Sequence, residues 1–228
     1  MTAHLKRIRT KLAVLLVEII RKNHGVVIFF GDSARRNALT LIRKVYRERK
    51  MLLLDHEAYQ IVMFANRTRK IPGEIAEVGV YTGGSAKLIA ETVSEKEIHL
   101  FDSFEGLPAP VDVDPKKFTE GQYGADLEDV RAYLSAYPNV HLYKGFFPAT
   151  SGPIASKKFA FVHLDVDLYE STKASLEFFY SRMSPGGVLL SHDYMTAEGV
   201  KKAFDEFLAD KPEALLESSW SQCFFVKA

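Results

Sequence analysis

The apolar positions along the chain keep two different rhythms. From about Ile71 to the end, short hydrophobic runs alternate with stretches of helical spacing. Glu74–Val80 predicts a strand and Ser85–Val93 the helix after it. Glu97–Phe101 predicts a second strand, Leu127–Leu134 a helix and Val140–Tyr143 a short third strand. Phe159–Leu164 is a strongly apolar strand, followed by helical spacing from about Ser171 to Arg182. A turn is predicted at Ser184-Pro185-Gly186-Gly187 and a further strand at Val188–Ser191. Ala197–Leu208 is helical, and Ala214–Ser218 with Gln222–Val226 predicts a closing hairpin. Alternation of this kind implies an α/β fold with a mainly parallel sheet, right-handed crossovers and helices on both faces.

Residues 1–70 are mostly of helical spacing, with a break at Gly25–Gly31. They predict an N-terminal helical extension to a domain spanning 71–228. Pro108–Gly124 follows neither rhythm. Long irregular stretches in compact domains often serve as lids or binding loops, the plainer alternative being a surface loop.

Composition narrows the class. A chain of 228 residues, 47% hydrophobic and 26% charged, buries a full core without staples. The net charge of +1 gives no electrostatic case for nucleic acid. The first 50 residues hold a basic excess, including Lys6, Arg7, Arg9, Arg35, Arg36 and Arg47. This reads as a solvated helical face, or as a contact for an acidic partner or membrane surface. The single cysteine, Cys223, excludes an internal disulfide framework and favours a reducing, cytoplasmic setting. Leu12–Ile20 is far shorter than the roughly 20 residues a bilayer needs, and no small-x-small cleavage site follows it. A helical extension of this kind also suits a homodimer contact.

The first strand runs into Glu77-Val78-Gly79-Val80-Tyr81-Thr82-Gly83-Gly84-Ser85 before a helix. Glycines belong where backbone approaches a ligand, and a helix start offers free N–H groups to an anionic group. Dinucleotide sites carry G-x-G-x-x-G. Here Tyr81 occupies the place of the second glycine, which argues against a pyrophosphate and for an S-adenosylmethionine-type turn. Asp102 closes the second strand, where an acid accepts both hydroxyls of a ribose or caps a turn. Glu77 serves equally as a ligand group or as a hydrogen-bond partner of the turn.

A second constellation lies further on. Phe161–Glu170 leads an apolar strand into Asp165 and Asp167, and Val188–Tyr194 leads another into His192 and Asp193. If these strands are parallel neighbours, about 5 Å apart, Asp165, His192 and Asp193 converge on one metal ion at the carboxyl edge. Carboxylates and waters suit Mg²⁺, and an added imidazole moves the preference toward Mn²⁺, Fe²⁺ or Zn²⁺. Asp167 is then placed to act as general base. The plainer alternative is that the acids cap helices and His192 is a turn histidine.

In four stretches the sequence resembles the macrocin O-methyltransferase family: Gly73–Ser85 (GEIAEVGVYTGGS), Phe101–Pro108 (FDSFEGLP), His163–Thr172 (HLDVDLYEST) and Ser184–Tyr194 (SPGGVLLSHDY). The resemblance spans about Glu57 to Leu208. It implies a Rossmann-like class I methyltransferase fold that binds S-adenosylmethionine, usually with Mg²⁺, and methylates a hydroxyl of a sugar or other small natural-product-like metabolite. Carried over, Glu77, Gly79, Tyr81 and Gly83, Gly84 and Ser85 line the methionine end. Asp102, Ser103 and Phe104 then hold the adenosine, with Gly145 and Phe146 in the adenine loop. Asp165, which also borders the cofactor, His192 and Asp193 are the metal ligands, and Asp167 is the base. The family has a second aspartate where this chain has His192, which ligates as an imidazole or acts as an acid–base group. Two other readings stand beside it: a catalytically silent protein of this fold that binds a partner through its basic N-terminal helices, and a nicotinamide oxidoreductase, which the G-x-x-x-G-G spacing opposes.

Overall fold

The structure is a computed structural model that describes residue 12, residues 33–218 and residues 220–228. The segment around Leu12–Ile20 (Leu12 itself apart) and the break at Gly25–Gly31 lie outside the described residues. The chain divides into two compact units, Met1–Asn37 and Ala38–Ala228. Of the first, residues 33–37 are helical. Among the described residues no helix is long and apolar enough to cross a membrane.

Helix α1 (Ser33–Glu48) buries Ala38, Ile42 and Val45, and α2 (Asp55–Arg67) buries Ala58, Ile61, Val62 and Ala65. Both sets follow the i, i+4, i+7 spacing that puts an apolar stripe on one side of a helix. At the start of α2, Glu57 reaches back to accept the Leu54 N–H at 2.7 Å, satisfying a donor the helix leaves open.

Seven strands follow: β1 (Glu74–Val78), β2 (Ile98–Asp102), β3 (Val140–Lys144), β4 (Phe159–Leu164), β5 (Met183–Ser191), β6 (Leu216–Glu217) and β7 (Cys223–Val226). Between them lie α3 (Gly84–Thr92), α4 (Leu127–Leu134), α5 (Tyr169–Tyr180) and α6 (Glu198–Leu208). The sheet order is β3-β2-β1-β4-β5-β7-β6. β1 to β5 are mutually parallel, while β7 runs antiparallel to both β5 and β6. The Ser184–Gly187 stretch, expected as a turn before the strand, is part of β5. It forms an irregularity where the register against β4 jumps from Met183 to Val188, with Gly186 at φ 80°.

Side chains alternate between the two sheet faces. Ile75, Ile98, Leu100, Phe161 and Leu190 pack with α1, α2, α3 and α4. Ala76, Val78, Phe101, Val162 and Leu189 pack with α5 and α6. Residues 38–65, set apart by the sequence reading, share the first of these cores with the sheet. Strand order reverses between β1 and β4, and at such a point the carboxyl ends of the strands open a crevice.

Candidate active site

A cavity of about 240 Å³ opens at that reversal, and both sequence constellations border it. Its floor is set by a close crossing of backbones. Gly79 adopts φ +89°, and a Cβ there would stand 1.8 Å from the Asp165 carbonyl oxygen, so no side chain fits. The Gly79 N–H donates to the Phe101 carbonyl at 2.9 Å and the Asp165 N–H to the Val78 carbonyl at 2.9 Å, continuing the ladders past the strand ends. Gly83, at φ 84°, starts α3 with a left-handed turn, and the first residues of that helix, Gly84 and Ser85, line the cavity with N–H groups that a helix start leaves open.

Asp102 organises this loop. Its Oδ2 accepts the N–H groups of Val80 at 2.7 Å and Tyr81 at 2.8 Å, and its Oδ1 accepts the Phe104 N–H at 2.7 Å. The N-terminal part of the chain contributes too. Lys50–Leu53 line the cavity, the Lys50 carbonyl accepts the Thr82 hydroxyl at 2.6 Å, and Met51 packs on the face of Gly84. On the far side lie Gly145, Phe146 and Phe147 after β3, with Lys117, Phe118, Gln122 and Tyr123 from the irregular loop. That loop is held in place. Leu107 N–H donates to the Gln122 carbonyl at 2.8 Å, and buried Asp114 accepts the Tyr169 N–H at the start of α5 at 2.8 Å.

The charged cluster follows from strand register. Leu164 pairs with Ser191 in the β4–β5 ladder, so the next residues, Asp165 and His192, leave the sheet side by side. His192 Nδ1 lies 2.9 Å from Asp193 Oδ2 and 3.4 Å from Asp165 Oδ1, and Nε2 lies 3.2 Å from Glu57 Oε1. Ligand atoms of Asp165, His192 and Asp193 all fall within 4.8 Å of one another. Asp167 (φ 60°) and Asp193 (φ 63°) both sit in the left-handed region, as does Tyr81 (φ 50°). Aspartate tolerates that conformation better than most residues, and such backbone gathers at functional sites.

Electrostatics match the crowding. Burial, then the charges of Asp165 and Asp193, push the Asp167 carboxyl well above the usual carboxylate range. Burial alone disfavours the His192 imidazolium, but Asp165, Asp193 and Glu57 outweigh it and hold the histidine well above its ordinary value. Burial also works against the Asp193 and Glu57 carboxylates, yet hydrogen bonds, His192 foremost, bring both below their ordinary values. Two carboxylates and an imidazole within one small radius, with a third carboxylate resisting ionisation beside them, form a donor set that accommodates a divalent cation.

Most residues singled out from the sequence border this cavity: Gly79, Tyr81, Gly84, Ser85, Asp102, Ser103, Gly145, Phe146, Asp165, Asp167, His192 and Asp193. Glu77, Gly83 and Phe104 do not line it. Glu77 lies opposite His163 in the β1–β4 register, and both side chains are fully enclosed, with Glu77 Oε1 2.8 Å from His163 Nδ1. Burial raises the Glu77 carboxyl, with His163 opposing it. Sequence reasoning missed Glu57, Met51 and Leu53. Nothing in the amphipathic pattern of α2 marks Glu57 as facing His192; its one trace is the position three residues after Leu54, where a glutamate closes a helix start.

The macrocin-O-methyltransferase (TylF) family profile matches residues 48–223. An 8-demethyl-8-(2,3-dimethoxy-α-L-rhamnosyl)-tetracenomycin-C 4′-O-methyltransferase from Streptomyces olivaceus is 34% identical over 140 residues, 54% of this chain and 54% of that protein. Demethyldecarbamoylnovobiocin O-methyltransferase from Streptomyces niveus is 30% identical over 155 residues, 61% of this chain and 59% of that protein. The chain thus spans little more than half the length of these curated relatives. Among solved structures, the O-methyltransferase NovP superposes with a TM-score of 0.65 at 26% identity, covering 75% of this chain and 79% of that one. The seven-stranded sheet is that of Rossmann-like class I methyltransferases. With the match running through the glycine loop, Asp102 and the Asp165–Asp193 cluster alike, the chain belongs to the macrocin-O-methyltransferase family.

Proposed function

We propose that the protein is an S-adenosylmethionine-dependent O-methyltransferase acting on a hydroxyl of a sugar or other small natural-product-like metabolite, with a divalent cation, Mg²⁺ or Mn²⁺, beside that hydroxyl. One observation carries this reading: the glycine-loop cleft and the Asp165–Asp167–His192–Asp193 cluster share one cavity at the carboxyl edge of the sheet. The relatives support it, both being named as O-methyltransferases, one of a rhamnosyl tetracenomycin. A cytoplasmic setting is part of the proposal and rests on the lone, buried thiol of Cys223.

S-adenosylmethionine supplies an electrophilic methyl that leaves a neutral thioether behind, and the cation supplies charge that makes a hydroxyl more acidic. The start of α3 would receive the anionic end of the donor, and Asp102 would accept from its ribose while tying the loop together. Asp165, His192 and Asp193 would hold the cation. Burial and then its acidic neighbours push the Asp167 carboxyl well above the usual carboxylate range, so that its ionised form is a stronger base than an ordinary carboxylate and would take the hydroxyl proton as the oxygen attacks. Tyr123 and Lys117 from the 108–124 loop wall the acceptor side.

Calorimetric titration with S-adenosylmethionine, with and without Mg²⁺ or Mn²⁺, tests the reading together with Asp167→Asn. The variant is expected to bind the donor as the wild type does while kcat falls by about 10²–10⁴. A variant at full rate would hand the proton to another group, and a wild-type protein that binds no donor at all would remove the methyltransferase reading.

A further inference from the structure

We propose that Glu57 is a positioning residue for His192: it holds the ring through the Nε2 proton, so that Nδ1 is the atom presented to the cation. The inference rests on the cation reading above. The two ring nitrogens have opposite surroundings. Nδ1 faces the acidic corner, 2.9 Å from Asp193 and 3.4 Å from Asp165. Nε2 is buried, makes no aligned hydrogen bond, and has Glu57 Oε1 at 3.2 Å as its facing acceptor. An imidazole that binds a cation gives one lone pair and keeps its proton on the other nitrogen, which needs an acceptor to fix tautomer and ring orientation. A cation shared with Asp165 and Asp193 meets the ring on its Nδ1 side. The remaining proton then points at Glu57.

Glu57 is built for this task. Its side chain is 2% exposed. Oε2 is fixed by the Leu54 N–H at 2.7 Å, Oε1 accepts the Ser221 hydroxyl, and the Gln222 side chain reaches the Glu57 carbonyl at 3.4 Å. The carboxylate is therefore clamped between the start of α2 and the turn before β7, and its ion-pair partner is His192. The Leu54 N–H and the Ser221 hydroxyl are neutral donors that leave a buried charge incompletely balanced, and the Nε2 proton is the further donor that faces it.

The full-length protein, labelled at the imidazole nitrogens, is titrated with Mg²⁺ and Zn²⁺ and read by NMR. The cation is expected to shift Nδ1 while Nε2 keeps its proton. In Glu57→Gln, Leu54 and the ring compete for a single amide oxygen. Mn²⁺ affinity is expected to fall by about 10–100-fold, with cation-free S-adenosylmethionine affinity unchanged. Ser221→Ala, which loosens the clamp without touching the carboxylate, is expected to weaken Mn²⁺ binding by a smaller factor. A cation on Nε2 with Nδ1 protonated overturns the inference, as does wild-type Mn²⁺ affinity in Glu57→Gln. If the wild type takes up no divalent cation, the cation reading falls by itself. The neutral ring at alkaline pH then decides Glu57 alone: a proton on Nε2 that redistributes in Glu57→Gln supports the positioning role, and an identical distribution in both proteins overturns it.

Discussion

Asp102 commits its carboxylate first to the protein's own backbone, with three N–H groups from the glycine loop and the residue after Ser103 converging on it. Each oxygen still has room for a further donor, so holding the loop leaves the carboxylate able to accept from the ribose that the proposed function places beside it. Asp102→Ala is expected to weaken S-adenosylmethionine binding by about 1–3 kcal/mol and to lower the melting temperature as well, because the loop loses its anchor. Calorimetry beside a thermal melt separates the two effects: a lower melting temperature with unchanged affinity would confine Asp102 to the loop. The acid at the end of β2 was legible from position alone. Its backbone partners were not, since they depend on how Val80 and Tyr81 turn after Gly79. Glu77 shows the same limit. The sequence places an acid before the first glycine but does not reveal that His163, one strand over in register, occupies its carboxylate.

At the scale of elements, the strongly patterned pieces were readable: β4 and α4 run as expected, and the closing hairpin exists as β6 and β7. The Ser184–Gly187 stretch was not, because its proline and glycines signal a turn in any context. The pairing of Gly186 and Gly187 with Lys227 carries it into the strand. The last strand also ends in a charged lock. Glu213 is fully enclosed and accepts from Lys227 Nζ at 2.5 Å, the Tyr180 hydroxyl at 2.6 Å and the Ala228 N–H at 3.2 Å, tying α5 to the end of β7. Burial raises its carboxyl, but these donors outweigh burial and bring it down to about 2. A folded-state value below the unfolded one, ~4.3, means that the stabilisation is complete above the unfolded value and is lost as pH falls toward the folded one. Glu213→Gln is therefore expected to cost about 1–3 kcal/mol at neutral pH, the gap to wild type closing between about pH 4.5 and 2. Denaturant unfolding across that range checks it, and a gap that stays constant with pH would mean the charge contributes nothing.

For the whole molecule, the relevant division falls between Asn37 and Ala38. The buried positions Ile42, Val45, Leu53, Ile61 and Val62 belong to the core beneath the sheet. Burying a large aliphatic side chain contributes about 1.5–3 kcal/mol, against a net stability of about 5–15 kcal/mol for a domain. A chain starting at Ile71 is expected to lack a cooperative transition by circular dichroism, where the full-length protein has one. Cooperative folding of the shorter piece would make residues 38–70 an accessory. The periodicity of this region was legible as helix; that its helices complete the core was not, because an apolar stripe does not name the surface it covers.

The contact between Gly79 and the Asp165 carbonyl has one further consequence. The loop proposed to seat the methyl donor and the strand end proposed to seat the receiving hydroxyl touch without any side chain between them, so a shift of one presses on the other. On the proposed function, the reaction distance is gauged by a hydrogen atom standing where every other residue would put a carbon. A methyl group at residue 79 would act as a shim, prising donor and acceptor apart even if every charged group around them kept its place.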